Sequence, residues 1–185
     1  MERALEPGTS WLRWYDSDDE PVPVRELYSV FGRPRTDADR SAEPLAAVSW
    51  SGIDWGAEIG TDEGRVLLAG LGGELDTIYA APLGDDRLVV AVLPLGGGGS
   101  GRPGPDGLLL QTSQLETGDL VFRGVVADWV KSVDLVVAGV THAAVMGENA
   151  FALTLEDTHG MGQERIELHR RDGTTNEIGL RPEEP

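Results

Sequence analysis

From Leu45 onward the apolar residues of this chain fall into runs of strand length, separated by glycine, proline, aspartate and asparagine. An amphipathic helix would instead repeat its apolar residues every three or four positions over about 11 residues or more. Short apolar runs between turn-forming residues are typical of antiparallel strands with tight connections. This pattern predicts an all-β fold for the greater part of the chain.

Three of the runs follow one another closely and predict a three-stranded antiparallel meander within residues 45–94. Glycine and aspartate, the residues of tight hairpin turns, separate them. The runs are 65–71, 75–82 and 87–93, with Gly72-Gly73 and Gly84-Asp85-Asp86 between them. The next segment, 95–107, contains seven glycines and two prolines. Because its backbone would lose much conformational entropy on ordering, we expect a flexible loop there.

Residues 108–181 contain a second set of strand-length runs. A spacing of about 8–12 residues, with turn residues between, is typical of small antiparallel sandwiches. Near the end, apolar Ile166 and Leu168 alternate with polar Glu167 and His169, so that strand has one core face and one wet face. We therefore predict an immunoglobulin-like antiparallel sandwich. Its expected strands are the LLLQT run, 120–127, 133–138, 142–146, 151–155, 166–170 and a weaker 177–180.

The first 44 residues lack this pattern. Residues 1–20 are polar and acidic, and a Pro-Val-Pro sequence follows them, so we expect an acidic arm with no helix across the junction. Within 24–31 the apolar residues fall at i, i+3, i+4 and i+7, which predicts one short amphipathic helix. A glycine and a proline soon after it are suited to end it. The segment 33–44 shows no apolar period and predicts a surface linker.

Composition limits the partners. The chain carries 32 acidic and 15 basic residues, a formal charge of −17. Nucleic acids and anionic membrane surfaces bind clustered lysine and arginine, so this charge argues against both. The chain has no apolar run of about 18 residues and no apolar segment behind a basic N-terminus, so we expect neither membrane insertion nor a signal peptide. A cytoplasmic location follows, although a trimmed ectodomain would look the same.

No motif in the sequence predicts catalysis or a cofactor. The chain has no cysteine, which excludes disulfides, thiolate metal ligands and cysteine nucleophiles. Gly96, Gly98 and Gly101 match the spacing of dinucleotide-binding glycines, but Arg102-Pro103 stands where the phosphate-binding helix should begin. We therefore predict no nucleotide or other cofactor, no metal and no catalytic residue.

Histidine and carboxylate residues near the C-terminus are the weak candidates for metal or acid–base chemistry. Glu156, Asp157 and His159 lie close together between two predicted strands. His169 lies on the polar face of the strand 166–170, where it can meet carboxylates across the hairpin. A zinc site needs three or four converging ligands, and a solvated loop explains the same residues without one.

Tryptophan is the other unusual feature. Trp11, Trp14, Trp50 and Trp55 occur in two short segments of a chain with only 6% aromatic residues. An indole joins a large apolar face to one N–H donor, so it can seal the edge of a core or form a platform for a ligand. These four residues are the candidate binding surface, and use in the core or in docking the arm is the alternative.

Two segments resemble a family of poorly characterised, β-rich proteins from high-GC bacteria. The first is FGRPRTDADR (31–40), similar to an apolar helix followed by an Arg-Pro-x-Thr-x-x-Asp-Arg segment. The second is GVVADWVKSVDLVVAGVTHAAVMGENAFALTL (124–155), similar to a repeat with a Gly-Val-x-x-Asp turn and an Asn-Ala-Phe strand. The resemblance carries no activity. By their chemistry, Gly124, Asp128 and Asn149 are expected to shape turns.

The predicted function is a non-enzymatic binding or interaction domain whose loops and tryptophans contact a protein or a carbohydrate. This step is an analogy, since sandwich folds host many unrelated functions. A hydrolase or metal-assisted enzyme with a site around His159 and His169 is the first alternative. A purely structural domain is the second. The oligomeric state does not follow from the sequence.

Overall fold

The fold is built from antiparallel strands. A computed structural model describes residues 10–13, 22–50, 61–71, 75–94, 98–115, 117–156 and 164–180. Their strands pair antiparallel in three sheets, which confirms the predicted all-β class. The strands are β1 (Ser10–Arg13), β2 (Arg65–Leu68), β3 (Leu75–Leu83), β4 (Arg87–Pro94), β5 (Gly98–Gly101), β6 (Leu108–Gln114), β7 (Leu120–Val126), β8 (Val130–Val137), β9 (Val140–Ala143), β10 (Val145–Met146), β11 (Ala150–Leu155), β12 (Arg165–Arg170) and β13 (Thr175–Gly179).

The first sheet contains the predicted meander and one strand more than expected. Strands β2, β3 and β4 pair in chain order, and β5 pairs with β4. The register places Gly99 opposite Val90 and Gly98 opposite Ala91. The prediction of a flexible loop over 95–107 is therefore wrong for the stretch that forms β5. The reason is that β4 offers unpaired backbone groups at its edge, and backbone pairing needs no side chains.

The strands after residue 108 form two facing sheets. The central sheet has the order β1-β6-β7-β11-β10, and the outer sheet has the order β13-β12-β8-β9. Strand β1, from the expected arm, is extended and forms the edge beside β6. The expected strand 142–146 is divided, because β9 pairs in the outer sheet and β10 in the central one. The chain thus crosses from one layer to the next at Ala144.

The central sheet packs on both of its faces. Leu108 and Phe122 enter the core shared with the outer sheet, called the outer core below. Leu109 and Val125 enter the core shared with the first sheet, called the inner core. This division follows from the period-two alternation of side chains along a strand. Strand β7 is consequently buried along its whole length. The inner core therefore contains side chains from both sides of segment 95–107, the boundary expected between the two β regions.

Short helices close the inner core near the N-terminus. Helix α1 (Val24–Leu27) and a 3-10 helix (Ser29–Gly32) occupy the region where one helix was predicted. Val24, Leu27 and Phe31 are buried against the first and central sheets. The Tyr28 hydroxyl, fully buried, donates to the Gly107 carbonyl at 3.0 Å. A further 3-10 turn (Thr61–Glu63) precedes β2.

Helix α2 (Asp37–Trp50) contradicts the prediction of a surface linker over 33–44 and of a β region from residue 45. It covers the face of the first sheet that points away from the central one. Ala42 and Ala46 make this contact, against Tyr79 and Ala91 among others. Two small residues spaced by one turn hold the helix on the sheet, so no strong apolar period marks it in the sequence.

Within the described ranges, no helix has both the length and the apolar character that crossing a membrane would require.

Replacing Gly124 with alanine tests the double-sided packing of β7. A Cβ at this position would lie 2.5 Å from both the Leu109 carbonyl oxygen and Phe151 Cε1. Because backbone and ring must then move apart, we expect Gly124→Ala to lower the free energy of unfolding by about 2 kcal/mol in urea titrations. Gly179→Ala in β13 is the control, since the described part of the chain leaves open space within 4 Å of its Cβ position. Equal effects of the two substitutions would contradict this packing.

Candidate functional site

A polar cluster on the outer sheet contains His169. The side chain lies on the solvent face of β12 because Ile166 and Leu168 take the core face. His169 Nε2 lies 2.9 Å from Asp134 Oδ2, and Nδ1 lies 3.0 Å from Thr175 Oγ1. Both contacts reach neighbouring strands, β8 and β13, so the register of the sheet positions the imidazole.

Glu167 completes the cluster. It lies opposite Asp134 on β8 and opposite Glu177 on β13. Arg165 Nη2 and Nε donate to Glu167 Oε1 at 2.7 and 3.0 Å, and Nε lies 3.4 Å from Glu177 Oε2. Ligand-type atoms of Asp134, Glu167 and His169 all lie within 4.8 Å of one another. Imidazole nitrogen and carboxylate oxygen are ligands of zinc and related divalent ions, so these three residues can hold one.

Two of the predicted metal or acid–base residues, Glu156 and His169, are described by the structure, and of these only His169 joins the cluster. Glu156 is exposed directly after β11 of the central sheet, whereas His169 lies in the outer sheet. Asp157 and His159 fall outside the described residues. Alternation along β12 could have pointed to Glu167, which shares the polar face with His169. Nothing in the sequence near His169 predicts its contact with Asp134, which lies on β8.

The predicted tryptophan surface falls largely outside what the structure describes. Trp11 lies in β1, where its backbone pairs with Thr112, and Trp50 is the last residue of α2. The side chains of both, and the whole of Trp14 and Trp55, are outside the described residues. A binding role for these four residues stays a prediction.

Trp129 lies at the turn before β8. It is half-buried and packs against both the inner and the outer core. The guanidinium of Arg170 lies 5.4 Å from the centre of its ring, a cation–π contact. This tryptophan therefore contributes to packing at the end of the two facing sheets.

The segment RPRTDADR (33–40) forms a buried hydrogen-bond network at the start of α2. Both terminal nitrogens of Arg33 donate to the fully buried carboxylate of Asp39, at 2.6 and 3.1 Å. The same carboxylate accepts the N–H groups of Thr36 at 2.6 Å and Val66 at 2.7 Å. Thr36 Oγ1 accepts the Asp39 N–H in return, which makes a capping box for α2.

This network connects distant parts of the chain. Arg33 Nε also donates to Glu148 Oε2 at 2.8 Å, in the turn before β11. Arg65, on β2, is buried and donates to main-chain carbonyl groups around it. Those carbonyls belong to Phe31, Arg33, Glu63 and Gly64. The segment thus joins α2, the first sheet and the central sheet.

Hydrogen bonding keeps Asp39 ionised. Burial by itself raises the pKa of Asp39, but the hydrogen bonds from Arg33, from the N–H groups of Thr36 and Val66 and from the Thr36 hydroxyl lower it by more. The pKa of this carboxyl therefore lies well below its usual range. The stability of the folded chain is thereby coupled to pH.

The turns before β8 and β11 also carry structural hydrogen bonds. Both oxygens of Asp128 accept the Ser29 N–H, at 3.1 and 2.9 Å, and Oδ1 accepts Asn149 Nδ2 at 2.8 Å. Asn149 adopts the left-handed conformation, with φ of 60°, as a turn residue does, and its Nδ2 also donates to the Val126 carbonyl. These contacts fasten the N-terminal helices to the turns before β8 and β11.

Two groups of polar side chains that contact one another are candidate sites. The buried network around Asp39 is closed by its own hydrogen bonds, whereas the cluster of Asp134, Glu167 and His169 faces solvent and carries ligand-type atoms. Comparisons with protein-family models, with curated proteins and with solved structures find no match for this chain. The half-buried cluster on the solvent face of the outer sheet is the candidate functional site.

Replacing Asp39 with asparagine tests the buried network. Because the pKa of Asp39 is lower in the folded than in the unfolded chain, its stabilisation is complete above the unfolded pKa of about 4 and is lost as the pH falls below it. We expect Asp39→Asn to cost about 3 kcal/mol near pH 7, since Arg33 keeps Glu148 but loses the buried carboxylate that neutralises it. The variant should also lose less stability than the wild type between about pH 5 and about pH 2.

Asp37→Asn is the matched control for this measurement. Asp37 lies on the same helical turn and pairs with Arg40 at 2.6 Å, but its side chain is 97% exposed. Exposed pairs contribute about 0–1 kcal/mol, so urea titrations should place this variant near the wild type at every pH. A pH profile of Asp39→Asn that parallels the wild type would refute the role of Asp39.

Proposed function

We propose that this protein is a non-enzymatic binding domain, and that the outer face of β8, β12 and β13 is its binding face. In this proposal Asp134, Glu167 and His169 hold a divalent metal ion there. The single observation that carries the proposal is the convergence of their ligand-type atoms within 4.8 Å, on three residues from two neighbouring strands.

The charges around the cluster support a cation. Asp134, Glu167 and Glu177 form a row across three strands, and like charges directly opposite one another are unfavourable. Arg165 offsets part of this charge through its contacts to both glutamates. A divalent ion would offset more, and the chain's net charge of −17 favours the approach of cations.

The openness of the face supports binding rather than catalysis. The side chains of His169 and Asp134 are 31% and 22% exposed and lie on the solvent face of the outer sheet. Catalytic acid–base groups work best where water is excluded. Three protein ligands also leave coordination positions free, which oxygen atoms of a protein or a carbohydrate can occupy. The acidity of the chain makes nucleic acid an unfavourable ligand.

The proposal includes the immunoglobulin-like sandwich predicted for 108–181. Its support is the pair of facing antiparallel sheets with a shared apolar core. In such sandwiches the solvent face of a sheet is free to vary without loss of the core, because alternate residues point to opposite sides. A binding face on β8, β12 and β13 fits this arrangement.

Calorimetric titration with Zn²⁺, Ni²⁺ and Mn²⁺ tests the site. For the wild type we expect saturable binding of at least one ion with one site per chain. His169→Ala should weaken that binding by at least about tenfold, because the imidazole is a direct ligand. His142→Ala is the matched control: His142 lies on β9 of the same sheet and is half-buried, outside the cluster. It should bind as the wild type does.

Two results would count against the proposal. Absence of saturable binding for all three ions, or equal affinities of the two histidine variants, would remove the metal site. Metal-dependent hydrolysis of a simple aryl ester that His169→Ala abolishes would instead favour the metal-assisted enzyme. A metal-loaded protein without hydrolytic activity is the outcome that a binding domain predicts.

A further inference from the structure

A second candidate site lies between the first and central sheets, whereas the metal cluster lies on the outer sheet. Arg123 occupies the middle of β7, opposite Gln111 on β6 and Ala152 on β11. It is only 3% exposed. Its side chain lines a small, partly open cavity whose volume is about 20 Å³. The cavity walls include Ile78, Val90, Val92, Gly99 and Val125.

The guanidinium of Arg123 has two unused donors. Neither Nε nor Nη2 has a hydrogen-bond partner among the described residues, although both atoms are buried. Arg65 shows the usual solution in the same protein, since its buried guanidinium donates to four main-chain carbonyls. Burial of an unpaired cation is costly, and desolvation accordingly lowers the pKa of Arg123 to about 10. The folded protein therefore favours an anion beside this side chain.

The positions of the free donors specify the shape of that anion. The N–H bonds of Nε and Nη2 point to the same side of the planar guanidinium, and they form the fork that matches the two oxygens of a carboxylate. A spherical ion or a single water molecule would use this fork less well. The two unused donors of Arg123 thus fit a planar group with two acceptor oxygens.

The cavity limits the rest of the ligand. A space of about 10–15 Å³ holds one water molecule, so the 20 Å³ beside Arg123 suits a group of very few atoms. Aliphatic side chains of Ile78, Val90 and Val92 form the opposite wall, and Gly99 adds no side chain to fill it. These walls suit a short carbon chain better than the fully hydrated oxygens of sulfate or phosphate.

We propose that the cavity between the first and central sheets is a binding site for a short-chain carboxylate, held by the Nε and Nη2 fork of Arg123. The carboxylate neutralises the buried guanidinium, and its hydrogen or methyl group lies against the aliphatic wall. This site is independent of the metal cluster, because the central sheet's other core and the outer sheet lie between them.

Thermal unfolding in sodium formate or acetate tests the proposal. At constant ionic strength, formate or acetate should raise the Tm of the wild type in a saturable manner, because the ligand binds only the folded chain. Sodium chloride should raise it much less. Arg123→Met removes the buried cation, so this variant should have a higher Tm than the wild type when no carboxylate is added. Formate or acetate should then no longer raise its Tm. Arg123→Lys keeps the charge without the fork and should weaken binding by at least about tenfold.

Arg87→Met is the matched control, because Arg87 begins β4 on the first sheet and is exposed. It should respond to formate as the wild type does. An equal shift in Arg123→Met and wild type, or equal shifts from formate and chloride, would overturn the proposal. A Tm of Arg123→Met below that of the wild type, with no carboxylate added, would also overturn the proposal, since the guanidinium would then have a partner within the chain.

Binding of ¹³C-labelled formate to the wild type provides a readout that needs no variant to fold. A bound carboxylate should broaden or shift the formate signal until acetate displaces it. A signal unaffected by the protein at high formate concentration would contradict the site. Because this experiment requires no divalent ion, its failure leaves the metal proposal untouched.

Discussion

Burial of the central sheet on both faces is the constraint on which the rest of the structure depends. Every residue of β7 is buried, and its alternate side chains enter two different cores. Such a strand has no face left for water, so any polar side chain on it must find its partner inside the protein. Gly124 has no room for a methyl group beside Phe151, and the adjacent Arg123 carries a charge between two sheets.

The protein places buried charge in three different ways. Arg33 and Asp39 neutralise one another and gain further hydrogen bonds from the backbone, so their burial is compensated. Arg65 has its donors satisfied by carbonyl oxygens of neighbouring segments. Arg123 has neither arrangement for two of its nitrogens among the described residues. The first two stabilise the joint between helices and sheets, and the contrast makes the third a candidate for ligand binding.

The layers also differ in what they leave open. Helix α2 covers the first sheet, and the central sheet is covered on both sides, so structural contacts dominate there. These contacts include the hydrogen bonds made by Asp39, Asp128 and Asn149. Among the described residues, it is the outer sheet that presents a polar face with carboxylates and an imidazole in contact. A binding face on that sheet can change its ligands while the cores stay as they are.

Much of the strand content follows from local pattern, since turn residues and alternation involve positions only a few residues apart. Local pattern did not predict helix α2, because Ala42 and Ala46 contact the sheet without a strong apolar period. It did not predict β5 either, because a glycine backbone pairs without side chains. The sequence by itself determined the β class and the polar face of β12 that carries His169. Only the tertiary structure decided which sheets stack and that Asp134, 35 residues away, meets that imidazole. Those contacts depend on the register between distant strands, which no short stretch of sequence encodes.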